Sequence, residues 1–241
     1  MSTDSSGVLA HHFNNMEQQQ STARLGMWMF LVTEALFFGG IFVAYTAYRI
    51  WYPEAFLAGS AKLNVLIGGI NSLLLLTSSL TITLAIHAAH EGKQDALKRW
   101  LLATILLAVA FLGFKAREYY LDYEEHLIPG ALFSKPISEG EHTKPSPAQD
   151  CEKDNVSAEH VQLFFMFYYC MTGLHVLHML VGIGLISWLY LLAQRGYFKP
   201  PERYVYVEVT SLYWHFVDMM WFFLMALLYC AGPHTMAQMH L

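Results

Sequence analysis

Five apolar stretches dominate this chain of 241 residues and limit what it can fold into. They cover residues 25–48, 63–87, 100–120, 160–192 and 204–230. A run of about 20 apolar residues is long enough to cross a bilayer as an α-helix. Only 14% of the residues are charged, whereas about 25% is usual for soluble domains. The sequence therefore predicts an all-α membrane protein, a single membrane domain with five transmembrane helices.

Basic residues in the connecting segments predict the orientation of these helices, because cytoplasmic loops carry an excess of lysine and arginine. Arg24 stands at the entry to the first stretch. Six more basic residues lie between stretches two and three, or between stretches four and five: Lys93, Lys98, Arg99, Arg195, Lys199 and Arg203. This pattern predicts a cytoplasmic N-terminus and a periplasmic C-terminus. The polar segment 1–24 lacks the features of a cleaved signal peptide.

Residues 121–158 are predicted to form a long external loop, in which acidic residues outnumber lysines. The acidic residues are Asp122, Glu124, Glu125, Glu139, Glu141, Asp150, Glu152 and Asp154, and the lysines are Lys135, Lys144 and Lys153. One interpretation is a solvated acidic loop. The other is a docking surface for a basic partner, reached through long-range electrostatic steering.

Glu34 is the most informative polar residue, because it lies about ten positions inside the first stretch. At 1.5 Å per residue it would be roughly 15 Å deep, near the bilayer centre. An ionisable group at that depth is costly unless it is protonated, paired or open to a polar cavity. Three interpretations stay open: a hydrogen-bonded structural carboxyl, a proton-relay group, or a neighbour of a lipid headgroup.

The fifth stretch carries a polar stripe formed by Glu208, Ser211, His215 and Asp218. Their spacings of three and four place them on one helix face, and a polar face inside a membrane is expected to look into the bundle. His215 and Asp218 are close enough along this face to pair.

Two histidines, His175 and His178, stand inside the fourth stretch in the segment TGLHVLHMLVG. A metal needs three or four ligands in suitable geometry, and His215, Asp218, Glu208 and Glu34 are further candidates. Nearby glycines are typical of close helix packing. We therefore favour interhelical hydrogen bonds over metal or haem ligation for this pair.

Three cysteines, Cys151, Cys170 and Cys230, are too few for a disulfide framework. Cys170 and Cys230 lie in apolar stretches and Cys151 lies in the polar loop, so we expect two apolar membrane cysteines and one loop thiol. A disulfide between Cys151 and Cys230 on the outer side is the alternative. No phosphate-binding glycine loop, nucleophile elbow or CxxC motif occurs in the sequence.

Four segments together resemble subunit III of the haem-copper oxidases and follow the order found in that family. They are TEALFFGGIFVAY, FLGFKAREYY, TGLHVLHMLVG and EVTSLYWHFVDMMWFFLMALLY. The most specific part is YWHFVDMMWFFL, from Tyr213 to Leu224. The resemblance extends along most of the chain, from Arg24 to Gly232.

This resemblance implies an accessory subunit of a terminal oxidase, most similar to cytochrome c oxidase, which reduces O2 to water and pumps protons. Haem and copper would reside in the partner subunits I and II, and this chain would bind phospholipid but no metal. Glu34 matches a carboxyl of the family that reacts with carbodiimide reagents, and Arg195 matches an arginine that meets a lipid phosphate. The family's buried polar residues correspond to His175, His178, Glu208, His215 and Asp218.

The resemblance also implies a role and a location. The chain would stabilise the catalytic subunit and support proton uptake in a bacterial cytoplasmic (inner) membrane. The longer family form has seven helices, and this sequence corresponds to the five-helix form. The acidic segment 121–158 would contact cytochrome c, another respiratory complex or an additional subunit.

Three other functions remain open at this point. A quinol oxidase subunit III, or the related accessory protein of nitric oxide reductase, would differ in its electron donor or acceptor. A proton-coupled transporter would work without partner subunits, although no inverted repeat supports it. An independent membrane cytochrome would retain haem in the isolated chain.

Overall fold

The computed structural model describes residues 16–130, 133, 137–139, 142–144, 147–153, 156–198 and 204–230. Its long helices are α1 (Met16–Trp51), α3 (Val65–His90), α4 (Gln94–Glu124), α6 (Ala158–Gln194) and α7 (Val205–Leu224), which a π-helical turn (Met225–Tyr229) continues. Two short helices, α2 (Pro53–Ala61) and α5 (Pro147–Lys153), and a hairpin of β1 (Ile137–Glu139) and β2 (His142–Lys144) complete the described elements.

Five helices are long and apolar enough to cross a membrane: Glu17–Trp51, Val65–His90, Gln94–Glu124, Ala158–Gln194 and Val205–Tyr229. The prediction of an all-α membrane protein with five transmembrane helices is thereby confirmed. The N-terminal residues 1–15, the loop residues Lys199 and Arg203, and two acidic residues of segment 121–158, Glu141 and Asp154, lie outside the described residues.

The acidic segment is not wholly the external loop that the sequence predicted. Residues 121–124 form the last turn of α4, and Asp122 is only 6% exposed. Cys151, predicted in a polar loop, is buried in α5. The sequence prediction ended the helix too early because the hydrophobic run stops at Tyr120, whereas helical hydrogen bonding continues past it. The described cysteines Cys151, Cys170 and Cys230 form no disulfide.

The chain divides into two compact units, and every long helix contributes residues to both. Unit 1 contains residues 1–37, 75–109 and 178–219, and unit 2 contains residues 38–74, 110–177 and 220–241. Each unit has its own buried aromatic residues, with Trp214 in unit 1 and Trp221 in unit 2. The polar groups considered below therefore belong to one unit or the other.

Helices α6 and α7 approach closely in unit 1, where Trp214 lies over Gly182. A Cβ atom built on Gly182 would stand 2.8 Å from two carbon atoms of the Trp214 ring. Small residues at such positions allow the helices to pack. The glycine is thus required by the bulk of the opposing indole, as the sequence pattern of glycines in α6 suggested.

Gly182→Ala is expected to destabilise the protein by about 1–3 kcal/mol, because the added methyl overpacks the contact with Trp214. Gly184→Ala is the matched control, since a Cβ built there meets no atom within 4 Å apart from the neighbouring backbone of its own helix. Thermal unfolding of the two variants in the same detergent measures the difference. Equal melting temperatures would contradict the close approach at Gly182.

Helix α1 is buried along one narrow line. Among its described side chains, Leu31, Phe38 and Tyr45 are the buried ones, and they recur at seven-residue intervals. Large apolar residues on its other sides are exposed, among them Leu36, Val43 and Ile50. An apolar exposed surface is the pattern expected of a helix in contact with lipid or with another membrane subunit.

The turn between α3 and α4 is made by Gly92, whose φ of 70° favours glycine. Next to it, Lys93 donates a hydrogen bond of 2.9 Å to the Glu91 carboxylate. This hydrogen bond holds the pKa of Glu91 below its ordinary value, despite an opposing effect of desolvation. The turn is therefore tight, and it places a hydrogen-bonded ion pair at the end where α3 and α4 meet.

Candidate functional site

Glu34 of α1 pairs with His178 of α6 in unit 1. The distance from His178 Nε2 to Glu34 Oε2 is 3.1 Å, and the side chains are 14% and 22% exposed. Tyr213 of α7 donates to the backbone carbonyl of His178 at 3.0 Å. The structure thus brings together an intramembrane carboxyl and one of the two histidines of the TGLHVLHMLVG segment. Both groups can hold a proton, and both keep some access to their surroundings.

The histidine of the α7 stripe bonds to α3. Nδ1 of His215 lies 2.7 Å from Ser79 Oγ, and Nε2 lies 3.5 Å from Thr83 Oγ1. The expected pair of His215 with Asp218 does not form, because both ring nitrogens are directed at α3. Asp218 is 3% exposed and interacts with the Ser79 side chain. His215 and Asp218, which the helical spacing suggested would pair directly, thus both lie near Ser79, and neither carboxyl oxygen of Asp218 has a hydrogen-bond partner among the described residues.

Glu208 begins the same stripe and joins three helices of unit 1. Its Oε2 accepts hydrogen bonds of 2.7 and 3.1 Å from Arg24 of α1. Its Oε1 lies 3.0 Å from His90 Nε2 of α3. The His90 ring also packs on Tyr204, with centroids 4.2 Å apart. A single carboxylate thus holds a guanidinium and an imidazole at one end of the unit.

His175 lies in unit 2, where it packs among aromatic rings. Its ring centroid is 5.7 Å from Phe111 and 5.3 Å from Trp221, and the residue is 0% exposed. It therefore does not share the environment of His178, although both stand on α6. Among the side chains that the structure describes, no group of three or more His, Cys, Asp or Glu residues is arranged to hold a metal ion.

A buried ion pair that the sequence prediction missed lies in unit 2. Lys115 and Glu118 of α4 are 2.9 Å apart, with side chains 1% and 4% exposed. Lys115 Nζ also donates to Tyr168 OH at 3.0 Å and to Tyr229 OH at 2.8 Å. Tyr229 donates in turn to Glu118 Oε1 at 2.6 Å. All three ammonium protons and both carboxylate oxygens of the pair are thus engaged.

A second acid, Asp122, lies one helical turn beyond Glu118. Tyr168 and Tyr169 of α6 are within interaction range of it, and its Oδ2 is buried without accepting a hydrogen bond. We call these residues, Lys115, Glu118, Asp122, Tyr168, Tyr169 and Tyr229, the Lys115 cluster.

The π-helical turn gives Tyr229 its place in the Lys115 cluster. A π-helix closes its hydrogen bonds five residues apart, as in the bond from Cys230 N to Met225 O at 3.2 Å. Tyr45 of α1 donates to the Leu227 carbonyl at 2.8 Å, which satisfies one carbonyl of the turn. π-helical turns are frequent at functional sites.

The sequence contained a signal for the Lys115 cluster. Lys115, Glu118 and Asp122 follow spacings of three and four, which put them on one face of a helix. The segment FLGFKAREYY also carries part of the family resemblance, and the predicted loop 121–158 includes Asp122. A lysine inside a predicted spanning helix, with acidic residues on the same helix face, indicates a buried ion pair.

Two further features, an exposed arginine and an apolar groove, have the chemistry of a lipid contact. Arg195 is exposed in the turn that follows α6. In unit 2, an apolar groove of about 310 Å³ lies between α1 and α6 and is lined by Gly40, Ile41, Ala44, Leu163, Met166, Phe167 and Cys170. A groove of this composition matches a hydrocarbon chain, and an exposed arginine at a helix end matches a phosphate.

Five apolar helices with polar side chains bonded inside the bundle define a multi-pass α-helical membrane protein. The family model "Cytochrome c oxidase subunit III" matches residues 4–124 and 156–233. The chain belongs to the cytochrome c oxidase subunit III family, whose members are subunits of an oxidoreductase complex and assemble with other oxidase subunits.

Named relatives include oxidases of two kinds. The chain is 30% identical to cytochrome c oxidase subunit 3 of Synechocystis, covering 85% of this chain and 73% of the relative. It is 29% identical to the mouse cytochrome c oxidase subunit 3, covering 88% and 71%. It is 27% identical to quinol oxidase subunit 3 of Bacillus subtilis, covering 92% and 97%. The predicted family and the accessory role in a haem-copper oxidase are confirmed.

Proposed function

We propose that this chain is the non-redox subunit III of a cytochrome c oxidase in a bacterial cytoplasmic membrane. It supports proton uptake by the catalytic subunit, stabilises that subunit and holds phospholipid. Haem and copper belong to the partner subunits I and II, and the N-terminus faces the cytoplasm.

The observation that carries the proton-uptake role is the bond between Glu34 and His178. A carboxyl beside an imidazole can pass a proton between the two groups. Their partial exposure lets the pair exchange that proton with its surroundings. Three other carboxyls of the spanning helices, those of Asp218, Glu118 and Asp122, are at most 6% exposed. Glu208 is 19% exposed but is ion-paired with Arg24, so Glu34 is the carboxyl best suited to exchange.

Glu34→Gln is expected to abolish modification of the protein by an apolar carbodiimide. The reagent adds to a carboxyl that it can reach from the membrane, and Glu34 is more exposed than Asp218 or Glu118. Peptide mass mapping of the labelled complex measures the site. Glu54→Gln is the control, because this exposed residue of α2 lies at a helix end. Unchanged labelling of Glu34→Gln would contradict the assignment.

The same variant tests the function directly. In the assembled oxidase, Glu34→Gln is expected to lower proton uptake during turnover, while the haem spectrum stays unchanged because the metal centres lie in other subunits. Oxygen consumption and pH changes in proteoliposomes measure this effect. Normal proton uptake in Glu34→Gln would contradict the role of the pair in proton supply.

The lipid role is supported by the apolar groove of α1 and α6 and by Arg195. Arg195→Ala is the informative variant, since it removes the guanidinium while leaving the end of α6 intact. Native mass spectrometry of the purified complex would then show fewer retained phospholipids.

The quinol oxidase relative supports a second candidate, in which the complex takes electrons from a quinol.

Purification of the complex through a tag on this chain decides between the two electron donors. A cytochrome c oxidase is expected to bring a subunit with a dinuclear copper centre and to oxidise reduced cytochrome c. Oxidation of quinol alone, with no such copper, would favour the second candidate. A chain recovered from native membranes without any oxidase subunit would contradict both and support a transporter.

A further inference from the structure

The charges of the Lys115 cluster do not balance if all its acids are ionised. Lys115 supplies one positive charge, whereas Glu118 and Asp122 can supply two negative charges. All three residues are buried, at 1%, 3% and 6% exposure. An uncompensated charge in such an environment is strongly unfavourable. The geometry therefore favours a cluster in which one of the two carboxyls is protonated.

The neighbouring groups supply no second positive charge. Around Asp122, the described charged and titratable groups include Lys115 and Glu118 of α4, Glu125 directly after that helix, and Tyr168 and Tyr169 of α6. Tyr119 of α4, whose hydroxyl lies 2.7 Å from that of Thr172, interacts with Asp122 but brings no positive charge. Tyr229 is neutral when it donates to Glu118. Lys115 is thus the one cation among the described groups that act on Asp122.

The hydrogen bonds indicate which carboxyl holds the proton. Glu118 accepts from Lys115 at one oxygen and from Tyr229 at the other, and such bonds stabilise a carboxylate. Oδ2 of Asp122 is buried and accepts no hydrogen bond. An ionised Asp122 would bury a second negative charge with one oxygen that accepts no hydrogen bond, which costs more than burying a neutral carboxylic acid at the same place.

We propose that the Lys115 cluster is a proton-binding site, in which Lys115 and Glu118 form the ion pair and Asp122 carries one bound proton. The balance is one ammonium, one carboxylate and one neutral carboxylic acid. This site is separate from the Glu34–His178 pair, and it does not depend on the electron donor or on the proposed role of Glu34.

The proposal predicts how many protonated carboxyls each variant holds, relative to the natural protein. Asp122→Asn is expected to lose one, because the proton carrier is gone. Glu118→Gln is also expected to lose one, because Asp122 must then ionise to balance Lys115. Lys115→Met is expected to gain one, because Glu118 then loses its countercharge and binds a proton.

Infrared difference spectra of the intact complex measure these numbers through the carbonyl stretch of carboxylic acids, identified by its shift in D2O. One acid lost in Asp122→Asn and in Glu118→Gln supports the proposal. An unchanged band in Asp122→Asn overturns it, since both acids would then be ionised. An unchanged band in Lys115→Met also overturns it, since Lys115 would then carry no charge. If Lys115→Met does not assemble, the two amide variants decide.

Discussion

Replacing Lys115 by methionine is expected to lower the free energy of unfolding by about 3–5 kcal/mol, the cost of breaking a buried ion pair from one side. The ammonium group holds Glu118, Tyr168 and Tyr229 together. It also lies 5.3 Å from the centroid of the Trp221 ring and 4.7 Å from that of Tyr168. Methionine fills a similar volume but leaves all of these groups without their cation.

The matched control is Lys98→Met on the same helix. Lys98 also has an acidic partner three residues away, at 3.2 Å from Asp95, but Asp95 is 92% exposed. Exposed pairs of this kind contribute about 0–1 kcal/mol. Unfolding in mixed detergent, followed by circular dichroism, compares the two variants. Similar losses for both would show that burial of the Lys115 pair has no energetic role.

Replacing Trp214 by alanine is expected to destabilise the protein by about 3 kcal/mol. This value is the lower end of the range for tryptophan truncation in protein interiors, because apolar transfer contributes little where lipid replaces water. Trp214 is 0% exposed, it lies against Gly182, and its Nε1 donates to Ser78 Oγ at 3.1 Å. The truncation removes packing and a hydrogen bond together.

Trp28→Ala is the control for Trp214→Ala, since Trp28 is 57% exposed on α1. Little change in stability is expected there. Trp214→Phe separates the two contributions, because it keeps most of the ring and loses the donor to Ser78. A loss of about 1 kcal/mol would match the hydrogen bond alone. A fully stable Trp214→Ala protein would contradict the view that this indole organises unit 1.

The sequence was sufficient for the membrane class, the five helices and the family. Long apolar runs determine spanning helices with little dependence on other parts of the chain. Glu34 was also recognisable, because a carboxyl within such a run is conspicuous. Its bond to His178 was not predictable, because the relative register of two helices depends on packing that the sequence does not display.

The Lys115 cluster shows a second limit. Lys115, Glu118 and Asp122 share one face of α4, so their proximity was within reach of the sequence. The tyrosines that complete the cluster come from α6 and from the π-helical turn. The position of Tyr229 depends on the π-helical turn, where the hydrogen-bond pattern changes. Residue spacings that assume an ordinary α-helix therefore give the wrong position for its side chain. The direct His215–Asp218 pair does not form for another reason, because the ring nitrogens of His215 lie close to Ser79 and Thr83 of α3.

The narrow buried line of α1 has a consequence for the order in which the protein opens. In the most apolar 18-residue stretch of α1, only 11% of the residues are buried, whereas 56% are buried in the corresponding stretch of α7 with its π-helical turn. Segments with few buried contacts open at lower free energy than the rest of a fold. In the isolated chain, amide hydrogens of α1 should therefore exchange with solvent earliest among the five spanning helices. Assembly with partner subunits that cover α1 would slow this exchange.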